Sequence, residues 1–208
     1  MRRVRVVVCA VLMTALAAAC GPGGSGETKS GDQRAQQTRK ETKMNMQQAG
    51  EGSEKILDDT LAAIRPPVKW AYGAPMQEAC STDLNEPTGR TTVTRSRNLM
   101  TVVSPQRRGS LLGVVQRHWE QQGFKVTSVR NDESMPWLRA SRPDGFSVSL
   151  QVGSVGNVFI SASFACAQDS AMTYPTGTPG QPGGPRSEEL RPTERSEFWS
   201  ADQSGSES

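Results

Sequence analysis

Phe146-Ser147-Val148-Ser149-Leu150-Gln151-Val152 alternates apolar and polar side chains without a break, and Val158, Ile160, Ala162 and Phe164 repeat the pattern across Gly153-Ser154-Val155-Gly156-Asn157. Successive side chains on a strand point to opposite faces, so each stretch buries one face and wets the other. Two such stretches joined by a short Gly-rich connection read as a hairpin, and an antiparallel sheet with one solvated face follows from it. The glycines are read as turn residues of that hairpin rather than as a phosphate cradle.

Working backwards, Pro143-Asp144-Gly145 closes a turn before this hairpin, after an expected strand from Trp137 to Arg142 and another from Phe124 to Arg130. Ser104-Pro105 places an N-cap before a proline at the first helical position. A helix carrying Leu111, Leu112, Val115 and Trp119 on one side then runs to a stop at Gly123. This helix is expected to cover the last two strands. Thr91 to Val103 is rich in Thr and Val and reads as a strand. Ile56, Leu57, Leu61 and Ile64 share a helical face after Ser53, and Pro66-Pro67 ends that helix. The expected fold is α+β, a mainly antiparallel sheet of four to five strands with two helices on one face, spanning residues 51–168.

Composition on either side of this region changes. Residues 20–50 are rich in Gly, Ser, Gln, Lys and Thr and read as a tether with a reach of roughly 30 Å. Residues 169–208 begin Pro/Gly-rich and end acidic, a composition that buries too little apolar surface to offset the entropy of ordering. Glu197-Phe198-Trp199 is an aromatic interruption there, read as part of a solvated tail, with a short linear binding motif as the alternative. The chain's hydrophobic fraction of 35% is thus diluted by two flanks expected to be disordered.

Arg2, Arg3 and Arg5 precede an uncharged run from Val6 to Ala19, which is followed by Gly21-Pro22-Gly23-Gly24. A helix of that length, about 21 Å, falls short of a hydrocarbon core of roughly 30 Å. Residues 1–19 therefore read as a signal peptide. Arg2-Arg3 lacks the apolar pair that would follow in a twin-arginine signal and reads as ordinary leader charge. Cys9 lies inside the apolar run and leaves with it. Without the three leader arginines the mature chain carries equal numbers of basic and acidic residues, 21 of the latter. A phosphate-binding face needs net positive charge, so no nucleic-acid partner is expected.

Ala17-Ala18-Ala19-Cys20 resembles the lipobox of bacterial lipoproteins, with Ala17 standing where that pattern usually has Leu. Together with the tether, Pro143-Asp144-Gly145 and a last strand ending in Cys166, the chain resembles small exported lipoproteins of high-GC Gram-positive bacteria. The resemblance implies lipidation at Cys20 and attachment to the outer face of the cytoplasmic membrane, and carries over no catalytic residue. Two acyl chains suffice for stable anchoring.

In an exported domain, the remaining pair Cys80 and Cys166 is read as a disulfide. No Cys-x-x-Cys is present, and two cysteines with one histidine make no tetrahedral zinc site, so neither metal nor cofactor is expected. His118, the sole histidine, lies on the second helix without a Gly-x-Ser-x-Gly elbow and reads as a helix boundary residue. Asp58-Asp59 and Asp132-Glu133 are assigned to a helix's wet side and a strand connection. Arg107-Arg108 sits unfavourably at a helix start and reads as a solvated first turn, with an anionic headgroup or partner as the alternative, while Trp70 and Tyr72 are read as packing the core, with an apolar groove as the alternative. The resulting expectation is a non-enzymatic interaction domain with an unknown protein partner. The alternative is a carrier of an apolar ligand held between the second helix and the sheet.

Overall fold

The computed structural model describes residues 44–132, 134–186 and 190–202. The leader, Cys20 and most of the expected tether lie outside them, as does Glu133. The described elements are α1 (Met46–Ala63), β1 (Trp70–Tyr72), β2 (Met76–Ser81), β3 (Pro87–Leu99), α2 (Pro105–Gln121), β4 (Lys125–Arg130), β5 (Trp137–Ser141), β6 (Phe146–Val152) and β7 (Val158–Gln168). They form an α+β fold with a seven-stranded antiparallel sheet in the order β1-β3-β7-β6-β5-β4, with β2 also paired to β3.

The sheet is larger than the four to five strands expected. β1 and β2 are short and largely exposed, and their sequences lack the alternation that marked the others. What makes them strands is the length of β3, whose 13 residues offer β2 one half and β1 the other. β4 to β7 fall close to where they are expected, whereas β3 runs from Pro87 to Leu99 instead of from Thr91 to Val103. Phe146, Val148, Leu150 and Val152 pair against Phe164, Ala162, Ile160 and Val158, all with 5% exposure or less.

Helix α1 starts at Met46, seven residues before the expected cap at Ser53. Asn45 is the true cap, joined to Gln48 in a reciprocal capping box. The domain boundary expected at residue 51 therefore falls inside this helix. Gly50, Gly52 and Ser53, read as tether or cap, are where α1 lies closest to the sheet. A Cβ on Gly50 would meet Arg95 at 2.8 Å, and one on Gly52 would meet the Phe146 ring at 2.6 Å. Small residues permit that approach, so a glycine-rich sequence here signals contact instead of flexibility.

Helix α1 packs over β3 and β7, and α2 over β4 and β5, instead of over the last two strands. The exchange has a simple cause: β3 joins the sheet beside β7, and α1 occupies that end first. Trp119 of α2 is buried and donates to Thr60 of α1 at 2.9 Å, closing the helical layer. Gly123 ends α2 in a left-handed conformation (φ +83°), as its sequence position implies. No helix among the described residues is long and apolar enough to cross a membrane.

The tail expected to be wholly solvated returns to the domain. Trp199 is 1% exposed, and its indole donates to the Pro66 carbonyl at 2.7 Å. Composition averaged over residues 169–208 hides this because one large aromatic supplies most of the buried area.

Cys80 and Cys166 are joined, with Cα atoms 5.8 Å apart and a sequence separation of 86. Cys166 sits at a bulge opposite Thr92 with φ +52°, which shifts the phase of β7 so that Ala167 is buried in place of Cys166. Replacing both cysteines by Ser is expected to lower the unfolding free energy by roughly 4–5 kcal/mol in urea denaturation. A loss below about 1 kcal/mol would show that the bond does not constrain the unfolded chain.

Candidate functional site

The inward face of β3 carries Val93, Arg95, Arg97 and Leu99, and both arginines are buried, at 3% and 1% exposure. Buried guanidinium groups require opposite charge and hydrogen-bond acceptors. Helix α1 supplies them. Glu54 lies between the two, 3.3 Å from Arg95 Nε through one oxygen and hydrogen-bonded to Arg97 through the other, and Asp58 one turn later accepts from Arg97 at 2.8 Å. The Nε atoms of both arginines are buried without an aligned acceptor among the described residues. Burial pulls Arg95 below its ordinary pKa, while Tyr174 and Glu54 act in the opposite direction.

Aromatic rings complete the cluster. The Arg97 guanidinium lies 4.7 Å from the Trp70 ring centre and 4.4 Å from that of Tyr72, and Arg95 lies 4.6 Å from the Tyr174 ring. Cation–ring contacts of this kind strengthen when water is excluded. Tyr174 comes from the segment after β7, held by Gln77 at its hydroxyl and by Thr173 bonded to Gln47 of α1. Between α1 and this segment runs an open groove of about 670 Å³, with Glu51, Glu54, Asp58, Arg95 and Tyr174 in its walls. A second groove of about 440 Å³ continues past Asp58 to Trp70 and Tyr72. Trp70 keeps 36% of its surface exposed, so this pair both packs Arg97 and borders the groove.

The sequence reading singled out Trp70 and Tyr72 as core or groove residues, left Asp58 on a helix's wet side, and missed Glu54, Arg95, Arg97 and Tyr174. The alternation of Val93 with Arg95, Arg97 and Leu99 was the available signal: a strand with two apolar inward positions must turn the arginines between them inward as well.

The other expected candidates are dispersed. His118 borders a separate crevice of about 200 Å³ between α1, α2 and the sheet, shared with Asp59, Ile56, Trp119, Phe124 and Phe146. Burial lowers its pKa, opposed by Asp59. Thr60, the nearby hydroxyl, donates to the Ile56 carbonyl and accepts from Trp119. The space directly between α2 and the sheet is filled by Leu111, Leu112, Val115 and Trp119. Asp132 caps a turn, accepting from Ser134 and Met135, which with Arg130 hold its carboxyl down at about 2. Arg107 stacks on Phe198 at 4.2 Å and Arg108 donates to the Ser134 carbonyl at 2.7 Å. Gly153–Asn157 is the β6–β7 hairpin loop, closed by Gly153 and Asn157 backbone groups at 2.8 Å. Among the described residues no three His, Cys, Asp or Glu side chains are placed to hold a metal ion.

No family model and no curated protein matches the chain. Among solved structures, the chain is similar to the crystal structure of a DUF4853 family protein from Actinomyces odontolyticus. The TM-score is 0.38 and the identity 15%, over 70% of this chain and 80% of that one. Similarity at this level assigns neither family nor activity.

Removing Glu54 leaves two buried cations with one shared acceptor fewer. Glu54→Ala is expected to cost about 3–5 kcal/mol of stability. Lys55→Ala, which breaks the exposed pair with Asp59, should cost less than about 1 kcal/mol. Equal losses in chemical denaturation would contradict the assignment. For His118 the folded state favours the neutral ring. Its contribution is complete above about pH 6.5 and declines as pH falls through the lowered folded value. His118→Gln should flatten the thermal-stability profile between pH 7 and 5.5; an unchanged slope would exclude this residue as its source.

Proposed function

We propose that the chain is an exported lipoprotein held on the outer face of the cytoplasmic membrane by lipid on Cys20, and that its α+β domain binds a partner instead of converting a substrate. The observation that carries the binding reading is the engagement of the groove's charges with one another. Glu54 and Asp58 hold Arg95 and Arg97, and Lys55 holds Asp59 at 2.9 Å. Charged groups fixed in this way form a preorganised polar surface, whereas a general base must be able to reach and accept a substrate proton. The Cys80–Cys166 bond agrees with export, since such bonds persist in oxidising compartments.

Carriage of an apolar ligand is the second reading, with the His118 crevice as its footing. At about 200 Å³ that crevice lies below the 300–1,000 Å³ usual for ligand pockets, so a ligand there would be small. The lone imidazole signal reports it directly: millimolar benzene that leaves the His118 resonance unmoved would remove this reading.

Anchoring is tested at Cys20. The native chain should fractionate with membranes and incorporate labelled palmitate. Cys20→Ala should lose the label and move to the soluble or secreted fraction. Unchanged fractionation and labelling of the variant would reject the anchor.

A further inference from the structure

The tail's return to the domain has the form of a bound peptide. Thr193 and Glu194 donate their backbone amides to the Met100 carbonyl, each at 2.9 Å, and Val102 donates back to the Glu194 carbonyl at 2.8 Å. The pairing is parallel, Thr101 against Glu194. Five residues on, Ser104 donates its amide to the Trp199 carbonyl at 2.9 Å, and the Ser200 hydroxyl donates to the Val102 carbonyl at 2.6 Å. The segment is thus held by one isolated main-chain bridge beyond the end of β3 and then by a turn, in which Ser200 donates its amide to the Ser196 carbonyl at 2.9 Å. Here the anchor is Trp199, 1% exposed with its indole on the Pro66 carbonyl, while its neighbour Phe198 stays 37% exposed against Arg107.

Two further features mark this segment as a ligand of the fold. It follows a Pro/Gly-rich stretch, residues 175–185, that forms successive turns with Thr178 buried, so the segment reaches the cleft through a connection separate from the strands. Ser104, the N-cap residue of α2, makes no cap bond to its own helix, and its hydroxyl donates to the Ala201 carbonyl at 2.5 Å. Departure of the tail frees that hydroxyl to cap α2, which offsets part of what is lost.

We propose that the cleft formed by residues 100–104, Pro66 and the start of α2 is a recognition site for a peptide segment of another protein that pairs at one residue and presents a tryptophan from a following turn, and that residues 193–201 occupy it in cis. The proposal goes beyond the binding reading above: it names a second surface, away from the Glu54 groove, and its partner's chemistry. A tethered segment competes at an effective concentration in the millimolar range, so an outside peptide gains the site only when the tail is displaced or cut.

The full chain carrying a protease site inserted after Gly183 tests this without reference to the membrane anchor. After cleavage, the C-terminal fragment should remain associated and be displaced saturably by a labelled synthetic peptide of residues 190–202. The same peptide with Trp199→Ala should bind at least tenfold more weakly, and the uncut chain should take up at least tenfold less of the native peptide. Loss of the folded circular-dichroism signal on cleavage would overturn the proposal, because the segment would then be core. So would failure of a thousandfold excess to displace the fragment, or equal displacement by both peptides. None of these outcomes bears on fractionation of Cys20→Ala, so the two readings fail separately.

Discussion

One carboxylate, Glu54, sits between two guanidinium groups on the inward face of β3. Arg95 and Arg97 occupy positions where a strand would ordinarily present apolar side chains, and two buried cations without compensation would exclude the fold. Their neutralisation fixes the rotation and height of α1 on the sheet, because only one helical position can reach both. The rest of that interface follows. Gly50 and Gly52 lie where any side chain would strike Arg95 or Phe146. Tyr174 closes the cluster from the other side and brings the chain after β7 back across α1. The grooves bordering Asp58, Trp70 and Tyr174 are therefore consequences of how the arginines are accommodated.

The disulfide acts on the same end of the sheet. Cys80 in β2 and Cys166 in β7 lie on the two strands that flank β3, so the bond ties an exposed edge strand to an interior one. β2 is short, exposed and rich in polar residues, and its pairing with β3 is the weakest inference that local sequence supports. A covalent tie to β7 compensates for that, consistent with a domain that works outside the reducing cytoplasm.

The grooves of this domain and the cleft that takes its tail are built from groups that already serve the fold. Asp58 and Trp70 border a groove while holding Arg97, and Ser104 serves the tail at the expense of its own helix cap. Such double use explains how much of the candidate site was legible. Trp70, Tyr72 and Asp58 stood out by residue type, and Glu197-Phe198-Trp199 stood out against its acidic surroundings. Their partners did not stand out, because Arg95, Arg97 and Glu54 look like ordinary solvated charges until the strand's inward phase and the helix's position are both known.

Period-2 alternation determined β6, β7 and the hairpin between them, and proline, serine and glycine punctuation determined α2, since these are local preferences of adjacent residues. The pairing of the last two cysteines was likewise readable along the chain. Tertiary structure alone decided that β1 and β2 join the sheet, that two arginines are buried, and that Trp199 is covered by the domain. Each of those outcomes depends on a partner distant in sequence: β3 for the short strands, Glu54 for the arginines, Pro66 for the tryptophan. Local composition cannot report a contact whose other half lies forty or more residues away, as it does for Glu54 and Arg97, separated by 43.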